Sequence, residues 1–190
     1  MVEWSLENIP PSNASVLEIG SGNGTLLLGL LDAGYDPEKL SGIDYSPGAV
    51  ALSTKIAQTR GGSMINFSEC DFLKDDPPIP ENLRLGSRID IWDLILDKGT
   101  YDAIALGRKD DQGRSPSINY PSRVARLLKP GGYCLITCKP LASSIELKRN
   151  NNIIFRIPLA CNFTEDELKS NFVTAETKLT YQRVFYYDHS

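Results

Sequence analysis

The sequence has few of the features that mark membrane, secreted or nucleic-acid-binding proteins. It contains no apolar run of about 18 residues, so no transmembrane helix is predicted. Residues 1–13 lack the basic and apolar regions of a signal peptide. Lys and Arg form no cluster longer than the short one at Lys148, and the net charge is -4, so nucleic acid is not an expected partner. We expect a soluble cytoplasmic protein whose acidic surface suits a basic protein or peptide.

Cysteine and histidine are also scarce. The four cysteines form no CxxC pair, and we predict that they are reduced and structural: Cys70, Cys134, Cys138 and Cys161. The single histidine, His189, is the penultimate residue and is given no role. No metal is expected.

The first half of the chain alternates strand and helix patterns. Short β-branched and leucine runs predict three strands, at 15–20, 40–44 and 64–70. Helices are predicted between them at 25–34 and 46–58, the second with Ser46 as N-cap and Pro47 in its first turn. This order is typical of an α/β fold with a doubly wound, mostly parallel sheet covered on both faces.

The second half continues the alternation after an irregular, proline-containing crossing at 74–88. With 41% hydrophobic residues, the chain can bury one sizeable core, and we predict a single domain over 1–190. The further elements predicted are a central strand at 89–96, a helix at 117–132, a strand at 133–138, a helix at 164–172 and a last strand at 178–188.

Three glycines alternate between the first strand and the first helix. Gly20, Gly22 and Gly24 permit positive φ and close approach of a ligand to the backbone, and the helix N-terminus adds N–H donors. A tight strand-to-helix turn without a ligand stays an alternative for this loop.

Two acidic residues follow the next two strands. Asp44 and Asp71 stand at strand ends that a parallel sheet brings to one edge, where acids commonly bind ribose hydroxyls. For each acid alone, a solvated loop end or a helix cap remains an alternative. A dinucleotide fingerprint would need glycine where the chain has Thr25, so an adenosine-type cofactor other than NAD is favoured.

Several motifs carry a family resemblance. "VLEIGSGNG", "GIDYSP", "ECDFL" and "LKPGGYCLIT" resemble the successive motifs of class I S-adenosylmethionine-dependent methyltransferases, which have a Rossmann-like fold. "ILDKGTYDAIAL", which follows the central strand, is similar to the corresponding stretch of seven-strand protein-lysine methyltransferases. Among these enzymes, the stretch resembles the elongation factor 1A lysine methyltransferase 2 type.

The resemblance implies S-adenosylmethionine as cofactor and assigns a role to each matching residue. Around the methionine moiety it places Glu18, Gly20, Ser21, Gly22 and Gly24. At the ribose and adenine it places Asp44, Tyr45, Asp71 and Phe72. At the floor of the active site, where the substrate amine meets the sulfonium, it places Asp97, Lys98, Gly99 and Thr100.

The implied reaction is methyl transfer to a lysine of a protein substrate, with elongation factor 1A as the implied partner. The sulfonium is already reactive, so alignment and a neutral amine matter more than a protein nucleophile. Asp97 is expected to orient the arriving ammonium, while a helix-capping role for it stays open.

Three departures from the family pattern set further expectations. Only 14 residues precede Ser15, and the chain stops at Ser190 without the expected final hairpin, so we expect shortened N- and C-terminal elements. Residues 139–160 read as an insertion. Two alternatives therefore remain: a small-molecule methyltransferase with 139–160 as its lid, or a truncated, non-catalytic form that binds a cofactor or a partner. A monomer is expected.

Overall fold

The computed structural model describes residues 1–137, 144–149 and 165–181. Within these residues the strands are β1 Val16–Ile19, β2 Leu40–Asp44, β3 Asn66–Glu69, β4 Trp92–Lys98, β5 Leu128–Thr137, β6 Ser144–Arg149 and β7 Leu179–Tyr181. The α-helices are α1 Val2–Asn8, α2 Thr25–Asp32, α3 Pro47–Thr59, α4 Thr100–Ala105, α5 Tyr120–Leu127 and α6 Glu165–Phe172. Short 3₁₀ turns lie at Pro37–Lys39 and Glu81–Leu83.

The strands form one seven-stranded sheet in the order β3-β2-β1-β4-β5-β6-β7. Strands β1 to β5 run parallel to one another, whereas β6 runs antiparallel to β5 and β7 antiparallel to β6. The predicted α/β fold with a doubly wound, mostly parallel sheet is therefore confirmed.

Both faces of the sheet are covered. Alternate residues of the central strands point to opposite faces, and each face packs in its own hydrophobic core. Leu94 and Leu96 join a cluster that includes residues of α1, α2 and α3. Ile95 joins a second cluster with residues of α5 and α6. All three side chains are 0% exposed, as the near-continuous apolar run of a central parallel strand requires.

The start of α3 follows its local sequence. Ser46 is the N-cap, and its hydroxyl accepts a hydrogen bond from the N–H of Ala49 at 3.4 Å. Pro47 occupies the first turn, where its missing N–H costs nothing. The predicted helix boundaries at 46–58 therefore differ from the observed ones by one residue.

Two helices were not predicted. Helix α1 lies in the segment for which the sequence indicated no element, and Trp4 anchors it with an exposure of 2% and an edge-to-face contact to Tyr133. Helix α4 begins directly after β4, at Thr100. Both are too short to be stable alone, so tertiary contacts must hold them.

Two boundaries in the second half differ from the prediction. The helix predicted at 117–132 is limited to α5, since Leu128 already pairs with Trp92 of β4 and starts β5. The predicted insertion at 139–160 contains β6, which extends the sheet. The rest of that insertion, Cys138, Cys161, His189 and the end of the last predicted strand, 182–188, lie outside the described residues.

None of the helices in the described part of the chain is long and apolar enough to cross a membrane.

Replacing Trp4 by alanine tests whether α1 contributes to the stability of the whole domain. Removing this buried ring should lower the free energy of unfolding by about 3 kcal/mol and Tm by roughly 6–12 °C. Leu6→Ala is the matched control, because Leu6 lies on the same helix but is 40% exposed. Equal Tm values for the two variants in thermal unfolding would show that α1 is not part of the cooperative core.

Candidate functional site

A cavity of about 500 Å³ lies at the carboxyl edge of the parallel strands. It forms there because β1, β2 and β4 run in the same direction and end together, which is where α/β sheets usually bind ligands. Eight of the predicted site residues line this cavity: Gly20, Asp44, Tyr45, Asp71, Phe72, Lys98, Gly99 and Thr100.

The other five predicted residues lie beside the cavity without lining it. Ser21, Gly22 and Gly24 belong to the loop between β1 and α2. Glu18 and Asp97 lie under the cavity within β1 and β4, with exposures of 1% and 0%. Within the described residues, the structure thus gathers all predicted positions at one edge of the sheet.

The glycine loop needs glycine for two different reasons. Gly20 has φ +71°, and a Cβ there would lie 1.9 Å from Oγ1 of Thr100, so α4 rests directly on this residue. Gly22 has φ +53°, but a Cβ there would meet no atom within 4 Å. The loop is therefore closed against α4 at Gly20 and open at Gly22, as a cradle for a ligand requires.

Asp44 joins the end of β2 to the glycine loop. One carboxylate oxygen accepts the N–H of Gly22 at 2.9 Å, and the other accepts the N–H of Ser46 at 2.9 Å. Each oxygen keeps lone-pair capacity, because a carboxylate offers about four acceptor positions. Asp44 lines the cavity at 8% exposure, so it can hold the loop and still accept a ligand hydroxyl.

Asp71 and Phe72 follow β3 on the same side of the cavity. Nζ of Lys74 lies 2.7 Å from the Asp71 carboxylate, and this hydrogen bond is the main reason that the pKa of Asp71 is lowered. Phe72 is 4% exposed and contacts the Tyr120 ring edge-to-face at 5.1 Å. A carboxylate held ionised beside an aromatic side chain suits the amino group and face of a nucleobase.

Asp97 is completely enclosed at the end of the central strand. Its carboxylate accepts the N–H groups of Thr100 at 2.7 Å and Tyr101 at 2.8 Å, and also the hydroxyl of Tyr120. The side chain thus caps α4 from inside the sheet, which is the capping alternative left open by the sequence. Because the side chain is 0% exposed, contact with a substrate amine would require it to move out of this enclosure.

Burial raises the pKa of Asp97 to about 6, although all three donors oppose this shift. The same enclosure raises the pKa of Tyr120 well above its ordinary value, with burial as the main cause and the neighbouring Asp97 next. Tyr120 therefore stays a hydrogen-bond donor, and the hydrogen bond is strongest when Asp97 is ionised.

Glu18 is the second enclosed acid of the site. Burial raises its pKa to about 8, and the nearby charge of Lys98 and the backbone N–H of Leu27 in α2 partly offset this rise. Its Oε2 atom is buried and has no partner among the described residues, as is also true of Oγ of Ser21. Two unsatisfied polar atoms beside the cavity are groups that a polar ligand could engage.

Lys98 and Tyr45 border the mouth of the cavity. Tyr45 is 80% exposed, and Lys98 is also exposed, although it is the last residue of β4. A large aromatic ring so exposed at a cavity rim is suited to contact a bound ligand or partner. The mouth thus combines an aromatic side chain with a cation.

The sequence analysis assigned no site role to seven residues. Six of them line the cavity, and Tyr120 of α5 donates a hydrogen bond to Asp97; the six are Ile19, Ile43, Cys70, Leu73, Ala103 and Ile104. The six lining residues lie within the quoted motifs, which gave no reason to single them out, whereas Tyr120 lies outside these motifs, 23 positions from Asp97 in the chain. The apolar period of the segment after "DKGT" is the one signal that could have indicated α4 and two of these residues.

The sequence matches a known family over nearly its whole length. Residues 10–183 match the family described as methyltransferase domain. The chain therefore belongs to the methyltransferase-domain family. A solved structure agrees in fold: geranyl diphosphate C-methyltransferase from Streptomyces coelicolor, with TM-score 0.51, 12% identity, and coverage of 71% of this chain and 43% of that one.

Among curated proteins, the chain is similar to two whose names specify lysine methylation. It is 35% identical over 185 residues to protein-lysine N-methyltransferase efm4 of Schizosaccharomyces pombe, covering 90% of this chain and 65% of that protein. It is 31% identical over 172 residues to human EEF1A lysine methyltransferase 2, covering 90% of this chain and 58% of the relative. The chain thus spans less than two thirds of each relative's length.

Alanine substitutions in the glycine loop separate close packing from backbone strain. Gly22→Ala should cost only the strain of a positive φ, about 1–2 kcal/mol. Gly20→Ala should cost more, because its Cβ must also displace Thr100 and α4. Chemical denaturation of the two variants measures the difference. Equal losses would show that α4 does not rest on Gly20.

Replacing Glu18 by glutamine tests its raised pKa. Between pH 4.5 and about 8 the folded chain keeps the Glu18 proton, whereas the unfolded chain releases it. The contribution of Glu18 is thus complete below pH 4.5 and is lost as pH rises through about 8. Tm of the wild type relative to Glu18→Gln should therefore fall from pH 5 to 8. Parallel Tm curves across this range would contradict the shift.

Proposed function

We propose that this chain is an S-adenosylmethionine-dependent protein-lysine N-methyltransferase that acts on a translation elongation factor of the 1A type. The observation that carries the proposal is the cavity itself: eight residues predicted from the methyltransferase motifs, from four separate strand ends, line one cavity. Family membership and the names of the two curated relatives support the same reaction.

The cavity fits the proposed cofactor in both size and chemistry. About 500 Å³ is within the range of small-molecule sites. Gly20 brings the backbone of the glycine loop into the cavity lining, and the unsatisfied Oε2 of Glu18 belongs to β1, directly before this loop. In this proposal Asp44 accepts ribose hydroxyls, while Asp71 and Phe72 hold the adenine.

When bound, the cofactor supplies a methyl group that is already activated on a positively charged sulfur. The chain's own task is then to align this group with an amine and to exclude competing nucleophiles. The turn Lys98–Gly99–Thr100 forms the part of the cavity wall next to the glycine loop, so the methyl-transfer point is proposed there. Asp97 holds this turn in place by accepting a hydrogen bond from the N–H of Thr100.

Lys98 gives the site a way to favour a neutral substrate amine. A free lysine has a pKa near 10.4 and is almost fully protonated at neutral pH. The exposed cation of Lys98 at the cavity mouth lowers the pKa of a second ammonium placed close to it. The proton then leaves to water at the open mouth, and no side-chain base is required.

The surface and the thiols are consistent with a basic protein substrate in the cytoplasm. The net charge of -4 favours association with a basic partner. Cys70 and Cys134 are buried free thiols, as is usual in a reducing compartment. Cytoplasmic location and elongation factor 1A are thus part of the proposal.

Two measurements test the proposal. Mass spectrometry detects labelled methyl-lysine in purified elongation factor 1A after incubation with a deuterated methyl donor. Thermal unfolding of the chain with and without the donor measures cofactor binding. The wild type should label the factor, and donor at 100 times its Kd should raise Tm by roughly 5–10 °C. Asp44→Asn should lose most of the labelling and most of the rise in Tm. The substitution replaces one carboxylate oxygen, a proposed acceptor for ribose hydroxyls, by an NH₂ donor.

Asp36→Asn is the matched control for this experiment. Its side chain also accepts a backbone N–H, from Glu38 at 3.0 Å, but it lies outside the cavity lining. It should keep both the labelling and the rise in Tm. A Tm rise without any labelled lysine would reject the substrate, and no Tm rise in a folded wild type would reject the cofactor.

A further inference from the structure

The hydroxyl of Tyr120 reaches Asp97 from a different element of the fold. Tyr120 is the first residue of α5, is 0% exposed, and donates its hydroxyl proton to Oδ2 of Asp97. Within the described residues the other two donors to this carboxylate are backbone N–H groups of α4. Of these three donors, Tyr120 is therefore the one that a side-chain substitution can remove.

The ring of Tyr120 is fixed by other aromatic rings. It contacts Phe72 at 5.1 Å, Tyr101 at 5.2 Å and Phe172 at 6.4 Å, measured between ring centroids. Phe72 itself lines the cavity, so this cluster joins α5 to the cavity wall. Because phenylalanine would keep these ring contacts, Tyr120→Phe removes the hydroxyl and leaves the packing in place.

Two hydrogen bonds connect Asp97, and through it Tyr120, to the cavity wall. Its carboxylate holds the N–H of Thr100, and the Thr100 hydroxyl donates to the carbonyl of Ile19 at 3.0 Å. The Thr100 side chain also fills the space that a Cβ of Gly20 would need. Tyr120, Asp97, Thr100 and the glycine loop thus form one continuous set of contacts.

We propose that Tyr120 is a positioning residue for methyl transfer: its hydroxyl, acting through Asp97, holds the Lys98–Gly99–Thr100 turn against the glycine loop. Its effect on turnover rests on the proposed function, whereas its effect on the cavity does not. Tyr120 is absent from the cavity lining, so it acts on the cavity through Asp97 and through its ring contact with Phe72.

The proposal implies a dependence on pH. Besides Tyr120, the groups whose charges act with Asp97 are Asp102 of α4, Cys134 of β5 and Glu18 of β1. With burial holding the pKa of Asp97 at about 6, loss of the Tyr120 donor raises it further. A protonated carboxyl accepts more weakly from Thr100 and Tyr101, so α4 should loosen at a higher pH without the hydroxyl.

The experiment compares Tyr120→Phe with Tyr35→Phe. Tyr35 is 2% exposed and donates its hydroxyl to the carbonyl of Ile9 at 2.5 Å, so its variant loses a comparable buried hydrogen bond in the other core. The full chain is titrated with S-adenosylmethionine by calorimetry from about pH 5.5 to 8.5, and kcat is measured over the same range.

For Tyr120→Phe, the pH below which cofactor affinity and kcat decline should rise by about one unit, with wild-type affinity regained near the alkaline end. Tyr35→Phe should follow the wild type at each pH. Asp97→Asn, which cannot ionise, should bind weakly without this pH dependence.

Two results would overturn the role of Tyr120. One is a Tyr120→Phe affinity profile that overlays the wild type. The other is a loss that is equal at every pH and shared by Tyr35→Phe, which would indicate only reduced stability. If the wild type transfers no methyl group but the binding profile shifts as described, the effect of Tyr120 on the cavity stands, and its role in turnover fails together with the proposed function.

Discussion

The structure depends on a buried carboxylate at the end of its central strand. Asp97 is 0% exposed, and a carboxylate removed from water needs hydrogen-bond donors to compensate for lost hydration. The donors come from the backbone of α4 and from Tyr120 of α5. Satisfying this one group therefore fixes a helix and a cavity wall at the same time, and explains why the apolar strand ends in an acid followed by a turn.

The glycine loop supplies the opposite side of the same contact. The Thr100 side chain packs directly against the backbone of Gly20. The Asp44 carboxylate accepts a hydrogen bond from the N–H of Gly22 and so fixes the loop to β2. The two turns that meet here are the glycine loop, which joins β1 to α2, and Lys98–Gly99–Thr100, which joins β4 to α4. Their meeting at the carboxyl edge of a parallel sheet gives a preorganised site, which alignment of two reactants requires.

The parts of the fold that the sequence predicted correctly are those with local signals. The strand runs, the alternating glycines and the Ser46 cap act over a few residues, so β1 to β3, the loop and α3 could be placed from the sequence. Helix α1 could not, because its stability comes from Trp4 packing on Tyr133, far away in the chain. Similarly, the sequence left a helix-capping role open for Asp97 but could not indicate its hydrogen bond from Tyr120, because the two residues are 23 positions apart.

A crystal structure of the chain with S-adenosylhomocysteine bound would test the central claim most directly. The account predicts the ribose hydroxyls within hydrogen-bond distance of the Asp44 carboxylate and the sulfur facing Gly99 and Thr100. It also predicts that Asp97 keeps its bond to Tyr120. A ligand bound elsewhere, or bound in the cavity with Asp97 turned out of its α4 cap towards the sulfur, would contradict it.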